Sequence, residues 1–154
     1  MSHLKNTDYN GDFYAWLNHN AALLRQGKFS EIDIDNVAEE LEGMARSEKR
    51  ELMQRLILLL THLLKWQYPP GGRSWKYAIG ELRFSLANLL EESPSLWKEL
   101  EESLGVAYKK AVEVTVDETN LKERDFPAKC PFTIAQCLDK SFFPDEINNA
   151  VATC

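Results

Sequence analysis

The chain has 154 residues, of which 44% are hydrophobic and 27% are charged, and its formal net charge is −6. A chain of this length buries about two-thirds of its unfolded surface on folding, so it can form one domain without disulfides or a structural metal. The acidic balance argues against sequence-independent binding of nucleic acid, because a basic surface supplies most of that affinity.

We expect a cytoplasmic protein that does not span a membrane. The opening residues MSHLKNTDY lack the apolar segment of a secretion signal. The longest uncharged apolar run, residues 56–64, has nine residues, against about 20 for a membrane span. Cys130, Cys137 and Cys154 follow no CxxC spacing, which favours reduced thiols over a disulfide framework.

A first helix is predicted over residues 12–26. Asp12 can accept hydrogen bonds from the open amides of the first turn, and Gly27 provides a left-handed stop soon after Arg25. The apolar side of this helix consists of Phe13, Trp16, Leu17, Leu23 and Leu24.

A second helix is predicted to open at Asp35 or Asn36, with Glu39 at the position of a capping-box acid for Asn36. Its apolar edge consists of Val37, Leu41 and Met44. Gly43 and Ser47 are weak helix formers, so the sequence allows either a bend there or one long helix that continues onward.

The most apolar stretch, residues 47–68, predicts the central helix of a bundle. Its apolar residues recur at helical spacing and cover about half of the circumference, so this helix must contact several neighbours. They are Leu52, Met53, Leu56, Ile57, Leu59, Leu60, Leu63, Leu64 and Trp66. Pro69 and Pro70 end the helix at Tyr68, and the glycines that follow permit a reversal.

Two more helices are predicted after the reversal. Ser74 caps the first, and Ser93 as N-cap with Pro94 at the first helical position starts the second, which runs to Asp117. The stripe of the first consists of Trp75, Ile79, Leu82, Leu86 and Leu89, and that of the second of Leu96, Leu100, Leu104, Ala107, Ala111 and Val114.

The composition changes after these helices. Phe126-Pro127 and Cys130-Pro131 force extended backbone, and residues 133–138 can form one short helix. We therefore predict an all-α fold, a single-domain irregular bundle of about five helices with a C-terminal extended arm that carries one short helix. The predicted domain spans residues 1–154, with 1–10 and 145–154 frayed.

Five motifs occur in a fixed order along the chain. They are Asp12-Phe13-Tyr14-Ala15-Trp16-Leu17, Ala38-Glu39-Glu40-Leu41-Glu42, His62-Leu63-Leu64-Lys65-Trp66, Ser93-Pro94-Ser95-Leu96, and Phe126-Pro127 with Cys130-Pro131-Phe132. In this order they resemble a bacterial family of all-helical proteins, domain of unknown function twenty-nine, over residues 8–144. The resemblance implies a small helical fold and a bacterial cytoplasmic origin, and it brings no activity, catalytic residue or cofactor.

The first candidate site combines Glu39 and Glu40 with His62. If the second helix folds back along the central helix, a carboxylate can orient the imidazole, raise its basicity or share a metal with it. We favour a structural network of Glu, Arg55 and His62 that holds the helices in register, because the sequence lacks paired Glu-x-x-His motifs. The alternative is a small metal-dependent or acid–base enzyme that uses this cluster.

The second candidate site lies around the Pro-Pro-Gly-Gly turn, where aromatic and cationic residues interleave. These residues are Lys65, Trp66, Tyr68, Arg73 and Trp75, and with Arg55 they are the candidate binding residues. Aromatic faces and cations can hold a single-stranded nucleic acid. We favour an aromatic plug that seals the end of a helical hairpin, and the net acidity of the chain points the same way.

No GxGxxG, GxxxxGK[ST], HExxH or GxSxG motif occurs in the sequence, which removes the best-marked nucleotide, zinc and serine-hydrolase classes. We therefore expect no cofactor and no metal. The leading functional hypothesis is a non-enzymatic helical module that binds another protein or itself through an acidic and aromatic surface. Nucleic acid and membranes are not expected partners.

Overall fold

The computed structural model describes residues 7–68 and 72–147, except for the side chains of residues 72 and 73. This part of the chain forms five α-helices and no strand, which confirms the all-α prediction. The helices are α1 (Phe13–Arg25), α2 (Ile34–Trp66), α3 (Lys76–Glu92), α4 (Leu96–Glu118) and α5 (Ile134–Leu138). The chain divides into two compact units, one ending at Ser47 and the other starting at Glu48.

The first unit begins with α1, whose two ends follow local rules. The Asp12 side chain accepts a hydrogen bond from the backbone amide of Ala15 at 3.0 Å, as predicted for an N-cap. Gly27 has φ 72°, and the next amide, that of Lys28, donates to the carbonyl of Leu23 at 3.0 Å. A left-handed glycine therefore ends α1 and sends the chain back.

A polar network then fixes the segment that leads into α2. The backbone amide of Asp33 donates to the side chain of buried Asn20 at 2.9 Å, and the indole of Trp16 donates to the Asp33 carboxylate at 2.8 Å. Asn36 donates to the same carboxylate at 2.9 Å. Hydrogen bonds from Asn36 and Trp16 hold the pKa of Asp33 below its ordinary value.

Helix α2 begins at Ile34 rather than at Asp35 or Asn36, and it contains both the second and the central predicted helix. Gly43 and Ser47 do not end it, because weak helix formers cost only about 1 kcal/mol or less each inside a helix. The sequence allowed either a bend or one long helix at this point, and the structure has one helix of 33 residues. The prediction of a single domain over the whole chain stays a prediction.

The core of the second unit confirms the leucine stripe of the central helix. Its buried side chains are Leu52, Leu56, Leu59, Leu60, Leu63 and Leu64 of α2; Ile79, Leu86, Leu89 and Leu90 of α3; Leu96, Leu100, Ala107, Tyr108, Ala111 and Val112 of α4; and Phe126, Phe132, Ile134 and Cys137 beyond it. Three helices and the C-terminal arm, which we define as residues 119–147, therefore share one core.

Several helix boundaries differ from the predicted ones. Helix α2 ends at Trp66, two residues before Tyr68. A 3-10 turn over Gly72–Trp75 precedes α3, so Trp75 rather than Ser74 is the residue before its first turn. Residues 93–95 form a turn in which the Leu96 amide donates to the carbonyl of residue 93 at 3.0 Å, so α4 begins at Leu96.

The short helix α5 matches its prediction closely. The Thr133 hydroxyl accepts from the Gln136 amide at 3.1 Å, and the Gln136 side chain accepts from the Thr133 amide at 3.0 Å. This capping box supplies partners for the open amides of a helix of only five residues. The predicted frayed ends lie mainly outside the described residues, although the Ile147 amide donates to the carbonyl of Gln67.

Truncation of two neighbouring leucines of α2 tests this core. Leu56 is fully buried, whereas Leu58 is 47% exposed. We expect Leu56→Ala to lower the free energy of unfolding by about 2–5 kcal/mol, because it leaves a cavity, and Leu58→Ala to lower it by less than about 1 kcal/mol. Urea unfolding followed by circular dichroism measures both values, and equal losses would contradict the packing described.

Candidate functional site

The sequence-predicted residues of the turn region lie together in the second unit. The rings of His62 and Trp75 stack with centroids 4.7 Å apart at an interplanar angle of 16°. The ammonium of Lys65 lies 4.7 Å from the Trp75 ring centroid and pairs with the carboxylate of Glu118. Trp75 therefore contacts both an imidazole and an ammonium group, which is a geometry suited to packing and cation–π attraction.

His62 is poorly placed to act as a base. Its Nδ1 is buried and has no hydrogen-bond partner among the described residues. Burial, and then the nearby charge of Lys65, lower the pKa of His62 from its ordinary 6.5, while Glu118 opposes this shift. The imidazole is therefore neutral at pH 7, and the groups around it stabilise that form rather than raise its basicity.

Trp66 and Tyr68 of the predicted turn site also have partners in the second unit. Trp66 packs on Phe143 with ring centroids 4.5 Å apart, and the Tyr68 hydroxyl donates to the carbonyl of Asp125 at 2.8 Å. These contacts support the interpretation of an aromatic plug, because both rings attach the C-terminal arm to the end of α2. The side chain of Arg73 lies outside the described residues.

Arg55 and the two glutamates occupy separate places. Arg55 of the second unit donates to Glu51 and to the hydroxyl of Ser85, which links α2 to α3. In the first unit, Glu39 pairs with Arg46 at 3.1 Å and Glu40 accepts from the hydroxyl of Tyr9. The second predicted helix continues into the central one, so Glu39, Glu40 and His62 all belong to α2, the two glutamates in the first unit and His62 in the second.

A buried arginine, which sequence reasoning missed, anchors the C-terminal arm. Arg83 is only 2% exposed, and its Nε donates to the carbonyl of Cys137 at 2.7 Å, while Nη2 lies 3.3 Å from the carbonyl of Gln136. Its guanidinium carbon lies 5.2 Å from the centroid of the Phe143 ring. The signal was present in the sequence, since Arg83 falls between Ile79 and Leu86 on the core-facing stripe of α3.

The two described cysteines have the properties of core residues. Cys137 is fully buried, and burial raises the pKa of its thiol to about 12. Burial also raises the pKa of Cys130, whose thiol donates to the carbonyl of Phe132 at 3.4 Å. Thiolates are the reactive form, so neither residue is suited to redox or nucleophilic chemistry at neutral pH.

A groove of about 990 Å³ runs beside α4 in the second unit. Among the residues that line it are Tyr108, Val112, Val116, Glu123, Arg124 and Phe126. The Tyr108 hydroxyl donates to the carbonyl of Pro127 at 2.7 Å, and burial raises the pKa of Tyr108 to about 12. Tyr108 therefore stays protonated at neutral pH and positions the arm rather than exchanging a proton.

The first unit exposes an unusual amount of apolar side chain. Its buried residues are Trp16, Asn20 and Leu23. Its exposed large apolar residues, which we call the apolar surface of the first unit, are Phe13, Tyr14, Leu17, Leu24, Phe29, Ile34, Leu41 and Met44, each between 42% and 78% exposed. Large exposed apolar surface, when it forms one patch, marks binding sites in soluble proteins.

The described part of the chain offers neither a metal-ion cluster nor a membrane-spanning helix. No group of three or more His, Cys, Asp or Glu side chains in residues 7–68 and 72–147 is placed so that it could hold a metal ion. None of the helices in the same ranges is long and apolar enough to cross a membrane.

The fold is that of a small all-α protein whose polar clusters mainly fasten the chain to itself. The chain belongs to the family described as Domain of unknown function DUF29, whose model matches residues 9–143. The match covers all five helices, and it agrees with the resemblance carried by the sequence motifs. No curated protein and no solved structure matches the chain.

The lowered pKa of His62 predicts a pH effect on stability. Between the folded-state pKa and the ordinary 6.5, the unfolded chain binds more protons, so the free energy of unfolding falls as the pH decreases below 6.5 and then levels off. We expect His62→Phe to remove this component while it retains a ring against Trp75. Urea unfolding between pH 7.5 and 5.5 measures the slope for the variant, for the parent and for His19→Gln as a control.

The anchoring role of Arg83 predicts a change in thiol exposure. We expect Arg83→Met to free the carbonyls of residues 136 and 137 and to raise the reaction rate of Cys137 with a thiol reagent at least about tenfold, which corresponds to about 1.4 kcal/mol of lost attachment. The experiment uses a background in which Cys130 and Cys154 are serine. The matched control is Lys140→Met, an exposed cation of the same arm, and equal rates in both variants contradict the role of Arg83.

Proposed function

We propose that this protein is a non-enzymatic helical interaction module that binds another protein, or a second copy of itself, through the apolar surface of the first unit. The observation that carries the proposal is the imbalance of that unit. Among residues 7–47, eight large apolar side chains are at least 42% exposed, whereas only two apolar residues, Trp16 and Leu23, are buried. Burial of such side chains is the main favourable term in protein association.

The amount of exposed surface fits an interface of ordinary size. If a large side chain presents about 200 Å² when fully exposed, eight half-exposed side chains offer on the order of 800 Å². A stable interface of standard size buries about 800 Å² on each partner. The summed exposed area of the eight side chains is therefore comparable to the area that one partner buries in a standard interface.

The polar clusters support the non-enzymatic part of the proposal. Each candidate catalytic group already has a local structural explanation: Glu39 pairs with Arg46, Glu40 accepts from Tyr9, and His62 stacks on Trp75 in its neutral form. A general base needs a raised or matched pKa and room for a substrate next to it. The lowered pKa and the buried Nδ1 of His62 supply neither.

A double substitution on α2 tests the proposal. Leu41 and Met44 are 63% and 67% exposed, so Leu41→Gln/Met44→Gln leaves the fold intact while it removes apolar contact area. The parent chain is expected to retain a partner, or a second copy, in fixed ratio. We expect the variant to retain at least tenfold less of it. Quantitative recovery from its own cells, with light scattering of the pure protein, measures both forms of association.

The matched control is Leu58→Gln/Phe84→Gln, which changes two exposed apolar residues of the second unit. The control is expected to keep the association of the parent. A complex that survives Leu41→Gln/Met44→Gln unchanged, or one that both double variants weaken equally, would sink the proposal.

A further inference from the structure

We propose that the apolar surface of the first unit receives a cationic amphipathic helix of another protein, which lies along the first turns of α2. This inference rests on the proposed function and adds the chemical class of the partner. It depends on the spacing of the exposed apolar residues, on the carboxylates beside them and on the net charge of the unit.

The exposed apolar residues of α2 form one stripe. Ile34, Leu41 and Met44 are 65%, 63% and 67% exposed, and their separations of seven and three residues place them on the same side of the helix. Partly buried Val37 lies between them on that side. The stripe extends over the eleven residues 34–44, whose ends lie about 15 Å apart along the axis, which is the length of roughly three helical turns. A helix that lays its own apolar face along it matches this length and shape.

Carboxylates lie on both sides of the stripe. Glu40 lies one helical turn before Met44 on one side. On the other side, Asp35 follows Ile34 and Glu42 follows Leu41, each about 100° further around the helix. Asp35 and Glu42 are exposed, and residues 34–45 contain no lysine or arginine. A partner helix with Lys or Arg on either side of its apolar face would therefore meet opposite charge along both borders.

The same charges disfavour a second copy as the occupant. Residues 7–47 contain eight acidic and three basic residues, which gives a formal charge of −5 in this stretch. A two-fold pairing of this surface brings identical patches together, so the carboxylates of residues 35–42 would face their own copies. Like charges brought together at an interface weaken association and select against that partner.

The test uses two synthetic 18-residue helical peptides with the same leucine positions, one with lysine and the other with glutamate at every polar position. Fluorescence anisotropy measures their binding to the full chain. We expect the lysine peptide to bind at least tenfold more tightly than the glutamate peptide. Leu41→Gln/Met44→Gln should weaken the lysine peptide at least tenfold, and Leu58→Gln/Phe84→Gln less than twofold.

A second pair of variants separates the bordering carboxylates from general acidity. Glu40→Gln/Glu42→Gln should weaken binding of the lysine peptide about three- to tenfold, whereas Glu91→Gln/Glu101→Gln, which removes two exposed carboxylates of α3 and α4, should leave it within twofold. Equal losses in the two variants, equal binding of the two peptides, or no binding of either peptide overturns the inference.

The outcomes for the inference and for the proposed function are distinguishable. Suppose that Leu41→Gln/Met44→Gln abolishes a native complex but the lysine peptide does not bind the parent chain. The cationic helix is then the wrong class of partner, whereas the proposed interaction module is retained. If light scattering shows a dimer of the parent chain that the same variant dissolves, the occupant is a second copy and the inference is wrong. A native complex that the variant does not affect overturns the proposed function itself.

Discussion

The leucine stripe of α2 must be covered from several sides, and the rest of the second unit depends on this constraint. Leu52, Leu56, Leu59, Leu60, Leu63 and Leu64 are all fully buried, and they cover too much of the helix circumference for one neighbouring helix to shield. Helices α3 and α4 supply matching stripes, and the C-terminal arm closes the remaining side with Phe126, Phe132 and Cys137. The aromatic contacts at the end of α2 follow from the same need, because the stripe continues to Trp66, where the helix stops.

The two units differ in how far their apolar side chains are buried. In the second unit nearly every long apolar stripe has a partner, and the polar groups that enter the core, Arg83 above all, are held by backbone carbonyls. In the first unit, hydrogen bonds among Trp16, Asn20 and Asp33 fix the connection between the helices, while the large apolar side chains remain at the surface. The polar contacts of the first unit leave these apolar side chains uncovered, and the proposed interaction uses them.

Sequence reasoning was most accurate where structure depends on neighbouring residues. Asp12 caps α1 and Gly27 adopts the left-handed conformation, both as predicted, and the short helix α5 forms within the predicted residues 133–138, because each feature is decided within a few residues. It was less accurate where weak local preferences compete with packing, so Gly43 and Ser47 could not reveal that α2 continues. The candidate site was predictable only in part. The residues around Trp75 were identified, but the Arg83 anchor depends on carbonyl groups more than 50 residues away, and the exposure of Leu41 and Met44 depends on what the folded chain leaves uncovered.

The way in which Arg83 holds the arm has a consequence for how this family can vary. Its guanidinium binds the main-chain oxygens of residues 136 and 137, and every amino acid carries such an oxygen. The anchor therefore recognises the path of the backbone and places no demand on the chemical identity of the side chains at its two contact points. Those positions are constrained instead by the space left for Cys137 and by the helix cap that uses Gln136. A single cation at this position can thus fasten arms of different composition, provided that each arm follows the same course over α3.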